Sequence, residues 1–259
     1  MTDVKGRILS VTVTREADRW YVSIAVEEEI ADPEPIQGEV VGVDLGLTHF
    51  AALSNGEKIS APKPLNKKLK LLKRRSKQHS KKQQGSNNRK KSRIRLSRTH
   101  RKVRNVRVDF LHKETTKLAK TKSVIVIEDL NVQGMVRCKN LSRHISDAGW
   151  GEYRRMLEYK TKWYGSRLII APRFYASSKT CSKCEHYVKE LPLKIRNWEC
   201  ENCHSVHDRD VNAAKNLLKF GTGSSPGIHA CVDTSDGASI KNTCSYVSSK
   251  QEVIMDNCP

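Results

Sequence analysis

Glu39-Val-Val-Gly-Val-Asp44, followed at once by Leu45-Gly46, is the stretch whose reading decides the fold. Its run of valines reads as a strand buried on its faces, and it ends in a carboxylate. Gly46 then allows a tight turn. Downstream, Phe50-Ala-Ala-Leu-Ser54 and Lys58-Ile-Ser-Ala61 are separated by Asn55-Gly56, a strong hairpin signal. Three consecutive antiparallel strands, the first closing on an acid, are the opening of an RNase H-like sheet. The same grammar returns at Val124-Ile-Val-Ile-Glu128, a second buried strand that ends in an acid. The expected class is therefore α/β, a mixed sheet with flanking helices.

Working outward, residues 8–14 and 20–28 alternate apolar and polar about Glu16–Arg19 and read as a hairpin. An isolated hairpin is marginal in water, so residues 1–37, with a Pro- and acid-rich linker from Ala31, read as the remainder of a larger sheet. The sheet domain covers 38–174. Within it, 63–122 forms two helices, 64–84 and 89–122, broken by Gly85-Ser-Asn-Asn88. Their apolar residues are few but helically spaced: Leu65, Leu69 and Leu72, then Leu96, Val103, Val106 and Phe110. A polar connection, a helix over 151–164 and a strand Leu168–Ala171 complete the domain. Residues 208–220 hold a last helix, and 221–259, rich in Ser, Gly, Thr and Asp, read as a disordered tail.

Charge is segregated. The chain carries 48 Lys and Arg against 28 Asp and Glu, a net +20. All of that excess lies in 63–122, where Asp109 and Glu114 are the acids and the rest of the chain is close to neutral. Such segregation is expected of a polyanion-binding face, with Lys73, Arg74, Arg75, Arg98, Arg101 and Arg104 as candidate nucleic-acid contacts. No run is apolar enough to span a bilayer and no signal-peptide core is present, so no membrane partner is expected. The cysteine usage fits a reducing cytoplasm.

Cys181-Ser-Lys-Cys184 and Cys200-Glu-Asn-Cys203 have the spacing of a four-thiolate zinc ribbon, assigned to 175–207. Four thiolates close a tetrahedral shell, so this Zn2+ would be structural. His186, His204 and His207 are expected at the surface or facing nucleic acid. Just past the ribbon, Asp210-Val-Asn-Ala-Ala opens the last helix. Asp210 joins Asp44 and Glu128 as a hard oxygen site suited to Mg2+ or Mn2+. Asp129 competes with Glu128, and Asp208, a candidate N-cap, competes with Asp210. Two divalent ions about 4 Å apart on such a trio would hydrolyse a phosphodiester without a nucleophilic side chain.

Val-Gly-Val-Asp44-Leu-Gly, Ile-Glu128-Asp-Leu-Asn, the paired CxxC and Asp-Arg-Asp210-Val-Asn-Ala-Ala, in this order, resemble the TnpB (OrfB) family of transposon-associated proteins. The resemblance implies a RuvC-like, RNase H-like nuclease domain with an inserted zinc ribbon, catalytic acids Asp44, Glu128 and Asp210, and RNA-guided cutting of DNA with a guide RNA from the transposon end. Family members usually carry over a hundred further N-terminal residues, a helical part and most of a barrel, so the chain reads as N-terminally truncated, with a second chain as one source of the missing part. The alternative is a non-catalytic DNA- or RNA-binding zinc-ribbon protein, or an inactive truncated copy.

Overall fold

The computed structural model describes residues 6–173, 175, 177–192, 194–223 and 251–252. The chain divides into two compact units, one of 1–31, 67–105 and 232–259, the other of 32–66 and 106–231.

In the first unit, β1 (Arg7–Glu16) and β2 (Arg19–Glu27) pair antiparallel, with Val13 opposite Val22 and Val11 opposite Ile24. A two-residue loop joins them, and Ala17 takes φ 59° to close it. One side of the hairpin is apolar and open, with Val11 and Val13 more than half exposed. A short β10 (Gln251–Glu252) adds to β2. The tail expected over 221–259 otherwise lies outside the described residues beyond Gly223. The unit also holds most of α1 (Pro64–Ser80) and the first half of α2 (Asn87–Thr121), both with ends a few residues from the expected ones. Asp18 and Glu16, at the hairpin turn, take up Arg98 (2.7 Å), Arg101 (3.6 Å) and Arg104. Three of the six arginines and lysines expected to meet nucleic acid are thus engaged within the protein.

The second unit is built on a five-stranded sheet ordered β5-β4-β3-β6-β7. Here β3 is Glu39–Leu45, β4 Ala51–Leu53, β5 Lys58–Ile59, β6 Lys122–Glu128 and β7 Arg167–Ala171. The first three run antiparallel, while β6 and β7 lie parallel to β3. This is the mixed sheet expected from the two acid-ended strands. Its core holds Val41, Val43, Phe50, Ile125 and Ile127 against Leu111 and Leu118 of α2 and Tyr153 and Leu157 of α5 (Trp150–Tyr164). Phe50 meets Phe110 and Tyr153 edge-on, each at 5.0 Å between ring centres. The polar connection after Glu128 contains two short helices that periodicity did not signal, α3 (Val132–Val136) and α4 (Ser142–Ala148). Asp147 of α4 accepts from Leu65 N and Asn66 N at 3.0 and 3.1 Å, satisfying orphan donors at the start of α1.

The last helix, α6 (Arg209–Gly221), crosses the sheet over β3. Gly42 explains how closely. A Cβ there would lie 2.0 Å from Ala214 O and 2.6 Å from Leu218 N, so only glycine admits the helix backbone. Ala213 and Ala214, both buried, complete this contact by being small.

Candidate functional site

That contact sets the register of the site. Asp210 precedes Ala214 by four residues, about 6 Å along a helix. Asp44 follows Gly42 by two residues, about 6.6 Å along a strand and on the same face. Glu128 follows Ile127, the partner of Val43 across the parallel ladder, so it sits beside Asp44 at the end of the adjacent strand. The electrostatics record the convergence. The Asp44 carboxyl is pushed well above the usual carboxylate range, first by burial, then by the charges of Asp210 and Glu128. Arg209 and Arg196 oppose that shift. Glu128 is raised too, by burial and then by Asp129.

The competing acids are both occupied elsewhere. Asp129 bonds Arg154 at 2.5 Å and Arg173 at 2.8 Å, and these hydrogen bonds hold its carboxyl below the ordinary value. Asp208 is the N-cap of α6, accepting from Val211 N at 3.1 Å, and takes the Lys58 ammonium at 2.6 Å. Burial pushes Asp208 up, but Lys58 and the Val211 N–H outweigh it. The strand and helix ends therefore sort the two pairs of neighbouring acids, leaving Asp129 and Asp208 structural and Glu128 and Asp210 on the side of Asp44. Asp210 has one cationic partner, Arg196, at 3.1 Å.

Arg196 had no signal in the sequence. It lies between the two cysteine pairs, reaches Asp210 with Nη1 and Thr48 Oγ1 with Nη2 at 3.3 Å, and its carbonyl accepts from Arg209 N at 2.7 Å. Arg209 lies inside the Asp-Arg-Asp motif. It is buried and donates to the carbonyls of Leu191 and Pro192.

Cys181, Cys184, Cys200 and Cys203 bring their sulfurs within 4.8 Å of one another and could hold a metal ion. Cys181 and Cys203 are 3.7 Å apart and Cys184 and Cys200 3.6 Å. A tetrahedral ion with sulfur bonds of about 2.3 Å needs sulfurs about 3.8 Å apart, so the donor set fits. Among the described residues this is the one group of three or more ligand-type side chains drawn so tightly; the three acids are spread more widely. Burial pushes the Cys181 thiol up to about 12, and hydrogen bonds from Ser205 draw Cys203 down to about 6. Cys200 and Cys203 lie in the turn between β8 (Asn197–Glu199) and β9 (Val206–Asp208), and Cys181 and Cys184 in the turn closed by the Thr180–Tyr187 bridge, around Trp198 and Leu191. His207, expected at the surface, is instead buried. It packs on Trp198 and places Nε2 3.0 Å from Cys181 Sγ, because β9 pairs it directly opposite Trp198.

The candidate nucleic-acid face also has a concave part. In the first unit, α1 and α2 enclose a cleft of about 690 Å3 whose lining includes Arg74, Arg75, Lys81, Lys82, Lys91 and Arg95, with no acid. Arg75 is braced there by the Arg95 carbonyl at 3.0 Å and by Thr99. Lys73 is exposed on α1.

Comparison with known proteins follows these elements. The OrfB/IS605 family model, described as "Probable transposase", matches residues 22–139, and the Cas12f1-like TNB domain matches 150–217. A protein of Streptomyces pristinaespiralis named as an RNA-guided DNA endonuclease is 44% identical over 225 residues, 86% of this chain and 54% of that protein. InsQ of Escherichia coli K12, named likewise, is 36% identical over 233 residues, 84% of this chain and 58% of its own length. The chain thus spans about half the length of the curated relatives it matches. Among solved structures, Cas12f1 in a complex with sgRNA and target DNA shares the fold, with a TM-score of 0.51 at 20% identity over 80% of this chain and 55% of that one. Through the sheet, the last helix and the cysteine cluster, residues 22–217 belong to the TnpB/OrfB family of transposon-associated proteins.

Proposed function

We propose that this chain is the cutting half of an RNA-guided DNA endonuclease, hydrolysing phosphodiesters with divalent ions held by Asp44, Glu128 and Asp210. One observation carries the reading: Asp44 senses both Asp210 and Glu128, while Asp129 and Asp208 beside them are neutralised by other partners. Mutual repulsion among desolvated carboxylates is a cost that hard cations relieve. Mg2+ or Mn2+ bound there would activate water and stabilise the leaving oxygen. The protein's own part is positional. Gly42 seats α6 and so holds Asp210 level with Asp44, and Arg196 steadies Asp210 from the side of the cysteines. Zn2+ at Cys181, Cys184, Cys200 and Cys203 would be structural, since four thiolates leave no open position.

DNA and guide RNA would be gripped through phosphates, and the cleft of Arg74, Lys81, Lys82, Lys91 and Arg95 is the surface best suited to that. A reducing cytoplasm would keep the four thiols available to metal. No helix among the described residues is long and apolar enough to cross a membrane.

The test is cleavage of a labelled oligonucleotide with Mg2+ or Mn2+, in the presence and absence of a transposon-end RNA, for the wild type and Asp44→Ala. Loss of all cutting in the variant is expected; cutting that persists overturns the proposal. The cationic cleft would serve equally in a binding protein that does not cut, and that reading predicts salt-sensitive binding with no cleavage under any divalent ion.

A further inference from the structure

A second cavity, of about 320 Å3, opens beside Glu128 within the sheet unit. Leu45, Ile127 and Leu130 give it apolar walls, and Trp150 and Arg154 of α5 contribute to its lining. Its volume is at the small end of the range for small-molecule sites, about 300–1,000 Å3, and suits a single nucleoside better than a duplex. Trp150 is buried, yet its indole N–H has no acceptor among the described residues. Arg154 and Arg173 both line the cavity and are braced by Asp129. Arg154 spends Nε on Glu158 and Nη1 on Asp129, and Arg173 spends Nε and Nη2 on Asp129. One terminal nitrogen of each guanidinium is thus left with donors to spare.

Gly151 also lines this cavity, and a Cβ built on it meets nothing within 4 Å. Gly151 is the second residue of α5, and no close approach of another chain segment explains a glycine there.

We infer that this cavity is a nucleotide subsite: it takes the base of one unstacked nucleotide against the apolar walls, while Arg154 and Arg173 meet the adjoining phosphate. Base stacking on an aromatic or apolar platform, with arginine at the backbone, is the common chemistry of single-strand recognition. The subsite deepens the proposed nuclease reading, since it would hold the strand next to Glu128, but its binding step needs neither metal nor cleavage.

The experiment is a titration of the full-length, 15N-labelled protein, without divalent ions at the acids, followed through its indole N–H signals. Absence from the spectrum of Trp150→Phe assigns the Trp150 signal. Deoxyadenosine 5′-monophosphate is expected to move that signal, and inorganic phosphate in a parallel arm is expected to leave it in place. Gly151→Leu should fill the cavity without a clash and weaken the nucleotide at least tenfold, with the other three indole signals unchanged as a report on folding. Leu130→Trp supplies a second plug from a different lining position. A Trp150 signal that ignores the nucleotide, that moves equally with phosphate alone, or that still moves in both plugged variants overturns the subsite. A protein that binds the nucleotide this way but never cuts keeps the subsite and loses the nuclease reading; one that cuts while its Trp150 signal stays still does the reverse.

Discussion

Asn212, two residues after Asp210 on α6, donates from Nδ2 to the carbonyl of Thr180, 2.7 Å away and one residue before the first cysteine of the cluster. Its Oδ1 accepts from Ser182 N at 2.9 Å, just past Cys181. Asn216, one turn further along, grips the carbonyls of Ser177 and Thr180 at 2.8 and 2.6 Å. The cysteine module and the helix bearing a proposed catalytic acid are therefore one mechanical piece. Stripping the metal with a chelator, or Cys200→Ser, is expected to loosen α6 as well as the cysteine turns. Hydrogen exchange would show this as lost protection over 209–217. Asn212→Ala, which leaves the Ser182 N–H unpaired while the Thr180 carbonyl keeps Asn216, should cost about 1–3 kcal/mol.

Asp44→Asn is expected to abolish metal-dependent cutting and yet stabilise the metal-free protein. The raised carboxyl of Asp44 marks a charge the fold disfavours. Because burial is the main cause, a gain of roughly 1–2 kcal/mol, or a few degrees in Tm, is expected in EDTA. A lower Tm would mean that Asp44 is held by partners as a structural ion.

The pH dependence has a defined sign. Asp44 and Glu128 are raised in the fold, so their protonated forms favour folding below the unfolded carboxylate value. That contribution disappears as pH rises through the elevated folded values. The metal-free protein should lose stability over that window, and added Mg2+ should restore it increasingly above it. Asp129 and Asp18 are lowered, so they stabilise above the unfolded value and release that stability as pH falls through their folded values. Melting curves across pH with and without Mg2+ check both halves. An Mg2+ effect that does not grow with pH would argue against carboxylate ligands of raised affinity for protons.

Gly42→Ala tests the packing that brings Asp210 to Asp44. Its new methyl would meet Ala214 O at 2.0 Å, backbone that cannot rotate away. A cost of about 1–3 kcal/mol or more is expected, with cutting lost more steeply than stability because α6 must lift. A variant that cuts normally would show that the helix position is not what assembles the acids.

The basic helices should divide by role. Lys81→Glu with Lys91→Glu, in the cleft, is expected to weaken nucleic-acid binding and flatten its salt dependence, by about one unit of log–log slope per lost phosphate contact. Arg98→Ala and Arg104→Ala, whose partners are Asp18 and Glu16, should change stability little, as exposed pairs do, and affect binding little. Filter binding across a salt series separates the two sets.

The sheet was legible because its signals are local. Valine runs closed by Asp44 and Glu128, a turn at Asn55-Gly56 and paired CxxC motifs each speak within a few residues. What stayed hidden depends on neighbours distant in the chain. Choosing Glu128 over Asp129 needed Arg154 and Arg173; choosing Asp210 over Asp208 needed Lys58 from an edge strand. Arg196 meets Asp210 only because the cysteine module folds back on α6, and His207 turned out buried because β9 pairs it with Trp198. The helices α3 and α4 are too short to establish a period. Arg98, Arg101 and Arg104 belong to a charge run whose local pattern cannot reveal an acid contributed from residues 16–18.

The glycine-to-alanine contact between β3 and α6 joins residue 42 to residue 214. During synthesis on the ribosome, Asp44 and Glu128 emerge long before Asp210, and their strands can pair while the helix that covers them is still untranslated. A growing chain of this kind would therefore carry no assembled acid trio. On the proposed reading, the three acids would come together only when the closing segment has been delivered and docked.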